Sequence, residues 1–88
     1  MRQIINEILD KLREMFLRGA TQADFDDLSH SLDELYNESP MDDDILMSIE
    51  ELMMFTEQIE GKFDNGTMDE NDITSLIAHA DILYEFVS

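Results

Sequence analysis

No cysteine occurs among the 88 residues, so there is neither a disulfide framework nor a thiolate metal site. No window is long and apolar enough for a membrane span. The opening stretch MRQIINEILDKLREMF alternates charged and apolar residues and lacks the uninterrupted apolar run of a signal peptide. A cytoplasmic location is the resulting expectation. Catalytic constellations are missing as well. There is no Cys nucleophile, no Gly-rich phosphate loop, and no serine set in a nucleophile-elbow context. Paired carboxylates are inevitable with 22 acids in so short a chain, and none marks a pocket. The expected protein is therefore not an enzyme and needs no cofactor.

Basic residues are scarce too. Five lysines and arginines face 22 acids, for a net charge of −17. Four of the five (Arg2, Lys11, Arg13 and Arg18) fall in the first 18 residues, beside Glu7, Asp10 and Glu14. The remaining 70 residues hold nineteen acids against Lys62 alone. Like charge at this density costs stability through self-repulsion. It also disfavours direct binding to nucleic acid or to an anionic membrane, and favours a cationic partner. The hydrophobic fraction of 43% is ordinary for a globular domain, so the acidity does not imply disorder.

No stretch keeps the period-2 alternation of a strand; apolar residues recur at helical spacing. The first helix carries Ile5, Ile8, Leu12 and Met15, flanked by Ile4, Leu9 and Phe16. The second carries Phe25, Leu28, Leu32, Leu35 and Tyr36. The third, from about 40 to 62, carries Ile45, Ile49, Leu52, Ile59 and Phe63. The fourth carries Ile73, Leu76, Ile77, Ala80, Leu83, Tyr84 and Val87. Capping chemistry marks the boundaries. Ser39-Pro40-Met41-Asp42 offers an N-cap serine with proline at the first helical position. Thr21 with Asp24, and Asp69 with Asp72, have the form of capping boxes, and Met68 with Ile73 fits a hydrophobic staple. Gly19 and Gly66 stand where a helix–helix turn needs a residue tolerant of positive φ.

The segment DFDDLSHSLDELY (24–36) aligns with DITSLIAHADILY (72–84) at an offset of 48. Asp24/Asp72, Leu28/Leu76, Asp33/Asp81, Leu35/Leu83 and Tyr36/Tyr84 are identical. The expected architecture is a small all-α four-helix bundle built from two helical hairpins, about 3–37 and 40–87, in one domain with an acidic surface. Internal duplication is one account of the similarity, and chance resemblance of amphipathic helices is the other.

A calcium loop is the first chemical candidate. In GKFDNGTMDENDITSLI, Gly66 at loop position 6 places Asn65 at 5, Asp69 at 9 and Asp72 at 12. Gly61 and Phe63 then occupy positions 1 and 3, where an ion needs carboxylates, so a capped turn is the better reading. His30 lies one helical turn from Asp26 and Asp27, a spacing that can chelate. A di-iron bundle needs Glu-x-x-His on two helices, and His79 has no acid three or four residues before it. No metal site is expected.

The acids themselves form the stronger pattern. Asp43, Glu50 and Glu57 recur every seven residues, about 10.5 Å apart along a helix, with Asp44 and Glu51 as a neighbouring row. The second helix adds Asp26, Asp27, Asp33 and Glu34. A small domain needs a net charge of only about 2–8 for solubility, so these nine acids are the expected partner-binding face. Met47, Met54, Phe55, Ile82 and Phe86 lie off the core stripes and form the expected apolar interface, whether for a homodimer or another partner.

The leading functional expectation is a non-enzymatic inhibitor that occludes a basic, nucleic-acid-binding protein. In size, charge and lack of catalytic chemistry the chain is similar in type to phage-encoded DNA mimics and anti-CRISPR proteins, without a shared family motif. The alternatives are an immunity protein or antitoxin against a basic nuclease, and a helical adaptor or chaperone that binds through the Met-rich apolar surface.

Overall fold

The computed structural model describes residues 2–39 and 41–87. Four helices follow in order: α1 (Arg2–Arg18), α2 (Gln22–Glu38), α3 (Asp43–Asn65) and α4 (Glu70–Val87). No strand occurs among the described residues. The expected all-α bundle is therefore present.

Two of the predicted boundaries form as the local chemistry dictates. At the start of α2, the Thr21 side chain accepts from the Asp24 N–H at 3.3 Å, and Asp24 accepts from the Thr21 N–H at 2.9 Å. This reciprocal capping box satisfies two of the donors that a helix start leaves open. Asp69 and Asp72 repeat the arrangement ahead of α4, at 3.1 and 3.0 Å. The glycines end the preceding helices with positive φ, 91° at Gly19 and 74° at Gly66. Gly19 donates to the Met15 carbonyl, an αL termination. Gly66 and Thr67 donate to Phe63 and Lys62, the paired bonds of a Schellman motif.

The start of α3 differs from expectation. Ser39 ends α2 instead, its backbone N–H and hydroxyl both donating to the Tyr36 carbonyl. Asp42 caps α3, accepting from the N–H groups of Asp44 and Ile45. Pro40, the expected first helical residue, lies outside the described residues.

The apolar stripes close on one another in a ring. α1 packs on α2 and α4, α3 packs on the same two, and among the described residues the backbones of the diagonal pairs stay more than 8 Å apart at every Cα. Short turns make sequential neighbours antiparallel, giving a rod of 37 × 20 × 20 Å. Ile5, Leu12, Phe25, Leu28, Leu35, Ile49, Leu76 and Leu83 fill its axis, and Phe63 meets Phe25 with ring centroids 5.2 Å apart. Tyr36 and Phe16, read as part of the core stripes, are instead exposed at its edge. The two polar residues buried among the described residues are both satisfied. Asp24 belongs to the capping box, and the Thr56 hydroxyl donates to the Leu52 carbonyl at 2.7 Å. None of the described helices is long and apolar enough to cross a membrane.

Candidate protein-interaction surfaces

The nine acids of the expected partner face are all exposed, but the bundle distributes them over several sides. Neighbouring residues on a helix point about 100° apart, so Asp26 and Asp27 diverge. Asp26 accepts from Gln22, whose amide also reaches Glu60 on α3 at 2.6 Å. Asp33 lines a groove with Ser29, Met53, Thr56 and Glu57. Asp26, Asp33, Glu57 and Glu60 thus share the seam between α2 and α3. Asp27 and Glu34 turn the other way, toward α1. Asp27 pairs with Lys11 at 3.2 Å, and Glu34 lines a cleft with Glu7 and Glu38. Asp27 is therefore ion-paired on the α1 side, away from the α2–α3 seam.

On α3 the core positions Ile49, Leu52, Thr56 and Ile59 define the inward direction. The row Asp43–Glu50–Glu57 falls on the α2 side of the outer surface, and Asp44–Glu51 on the α4 side. Met47 and Met54 run along the crest between the rows and are both more than half exposed. None of the ion pairs among the described residues reaches Asp26, Asp33, Asp43, Glu50 or Glu57.

Arg18 and Lys62 are engaged at the two turns. Arg18 grips the Asp24 carboxylate with both guanidinium branches, at 3.0 and 2.7 Å, and Lys11 stands 3.5 Å away. Asp24 also receives the backbone and hydroxyl donors of Thr21, so its carboxyl is held well below the usual carboxylate range. Arg18 is the largest cause of that depression, burial opposes it, and Thr21 adds to it. Lys11 is raised in turn, chiefly by its hydrogen bond to Asp27. Lys62 and Asp72 pair at 3.1 Å across the second turn. Asp72 is lowered first by the Asp69 N–H and then by Lys62. The residue placed at position 12 of a calcium loop therefore spends its carboxylate on a cap and an ion pair. No cluster of three or more metal-ligating side chains occurs among the described residues.

The apolar set divides as well. Met47, Met54, Ile82 and Phe86 are exposed as expected. Phe55 is not a free surface residue: it is half-buried in the α3–α4 seam, stacked on His79 at 4.5 Å between centroids. Its periodicity places it off the core stripe, yet α4 packs close enough to cover it. His30 is exposed. Sequence reasoning missed Glu60 and Gln22, which join the α2–α3 seam. Their signal was the seven-residue relation of Glu60 to Met53 on α3 and the four-residue relation of Gln22 to Asp26 on α2. Comparison with protein-family models, curated proteins and solved structures gives no match for this chain.

Proposed function

We propose that the protein is a non-enzymatic inhibitor that binds a basic, nucleic-acid-binding protein and occludes its phosphate-holding surface. The observation that carries this reading is the carboxylate array of α2 and α3: Asp26, Asp33, Asp43, Glu50 and Glu57 stand exposed on rigid helices with no cation of the described residues paired to them. The density of charge fits the role. A net −17 along a 37 Å rod is about one charge per 2.2 Å, close to the one per ~1.7 Å of duplex DNA. Arg and Lys arranged for phosphates would meet carboxylates at comparable density, and long-range attraction would speed the encounter. The two hairpins are proposed to descend from one duplicated unit, because each turn sets a capping-box Asp against a cation from the preceding helix: Asp24 with Arg18, Asp72 with Lys62.

The test is recovery of a binding partner from host extract at low salt, followed by its release across a salt gradient. Wild type is compared with the triple charge reversal D43K/E50K/E57K. Salt-sensitive binding that the reversal abolishes, with loss of the partner's hold on DNA when the wild type is added, is the expected result. Binding indifferent to both salt and charge reversal would sink the proposal.

A further inference from the structure

The outer surface of α4 is unlike the rest of the molecule. A quarter of the chain is acidic, yet α4 runs from Ile73 to Ala80 without a charge. Ile73, Leu76, Ala80 and Leu83 point inward. Asp72 and His79 meet Lys62 and Phe55, which fixes the side that faces α3. Helical spacing then puts Ser75, Ala78, Ile82 and Phe86 along the same outer flank, where all four are exposed. Asp81 and Glu85 fall across the crest, toward α1. A helix apolar on its outer flank as well as its inner one is expected to be covered on both.

We infer that a second copy of this chain covers this face, with the two α4 helices antiparallel about a two-fold axis. Two observations select this occupant. First, two molecules of charge −17 repel over most of their surfaces and approach most easily where carboxylates are absent. Second, the flank is self-complementary. Small Ser75 and Ala78 occupy its first half and bulky Ile82 and Phe86 its second, so antiparallel pairing seats Phe86 over the partner's small residues and the partner's Phe86 over Ser75.

The α3 side extends the contact. The pairs Lys62/Asp72 and Phe55/His79 are each seven residues apart along both helices, so one more step sets Ser48 level with Phe86 and brings Met47 to its flank. Asp44 and Glu51 border the α3 side of this face, so the contact covers less than the 37 × 20 Å side of the rod and falls below the roughly 800 Å² per partner of a standard interface, which makes the expected dimer a weak one. The inference does not rest on the acidic-face reading, because Asp43, Glu50 and Glu57 lie on the α2 side of α3.

Sedimentation equilibrium of the full chain from micromolar to submillimolar concentration, at low and high sodium chloride, tests it. A dimer whose population grows with concentration and with salt is expected, the opposite salt dependence to that proposed for the basic partner. Ile82→Glu should weaken the dimer at least tenfold while helicity and urea midpoint stay unchanged, and D43K/E50K/E57K should preserve it. The chain has no native cysteine, so S75C/F86C should crosslink between copies on mild oxidation. A monomer under every condition would overturn the inference and leave the face to a different partner. A dimer that survives Ile82→Glu, or that forms without the S75C/F86C crosslink, would overturn the α4 pairing.

Discussion

Asp24 makes the case at the scale of one residue. Its side chain is 4% exposed and holds a cap, a bidentate arginine and a nearby lysine at once. Removing one partner of a buried pair costs about 3–5 kcal/mol, but the Arg18 side chain is 43% exposed, so water screens part of the interaction. Asp24→Asn should therefore destabilise by roughly 2 kcal/mol, a fall in Tm of about 8–16 °C for a domain of this size. The pH dependence has a definite sign. The folded carboxyl is lowered, so its contribution is complete above the unfolded Asp value near ~3.9 and fades as pH falls below it. Urea midpoints of wild type and variant should differ by a constant amount above about pH 5 and converge in acid. A gap that widened on acidification would mean that Asp24 is not ionised through its arginine. Asp72 is lowered for the same kind of reason and should show the same trend, smaller because Lys62 is more exposed.

At the scale of the element, two glycines of α3 separate backbone need from helix propensity. Gly66 ends α3 with φ 74°, and a side chain there is strained although nothing crowds the site. Gly61 sits inside α3 with open space where a Cβ would go. Gly66→Ala should cost about 1 kcal/mol, and Gly61→Ala should add roughly 0.5–1 kcal/mol, read as opposite shifts in urea midpoint. Equal shifts of one sign would contradict the Schellman termination. Both turns were legible because a glycine and a capping box coincide within a few residues, with an apolar staple added at the second. The α2–α3 junction was not, since Ser39 and Asp42 are both competent N-caps by local chemistry. Only the actual end of α2 commits Ser39 to the Tyr36 carbonyl. The site was partly hidden for a related reason. Periodicity places Asp26 and Asp27 outside the core, but which neighbour each faces depends on the handedness of the helix ring. Phe55 likewise reads as surface until the α3–α4 register brings His79 onto it.

For the whole molecule, the charge that suits binding opposes folding. Exposed carboxylates lie along most of a rod only 20 Å across, within two to three Debye lengths at physiological salt, where screening is about 8 Å. Folding gathers them together, whereas the unfolded chain spreads them apart, so net repulsion must lower stability. Sodium chloride should therefore raise Tm, the reverse of what a fold held mainly by surface ion pairs would show. D43K/E50K/E57K moves the net charge from −17 to −11 and removes no ion pair of the described residues. It should raise the low-salt Tm by several degrees, and the advantage should shrink as salt screens the wild type. Joined to the binding assay, this measurement separates two origins of the acidic rows. If the variant is more stable and no longer binds the basic partner, the rows persist at a cost to folding because binding needs them. If it is less stable than wild type, Asp43, Glu50 and Glu57 support the fold, and a binding role can no longer be argued from their unpaired charge.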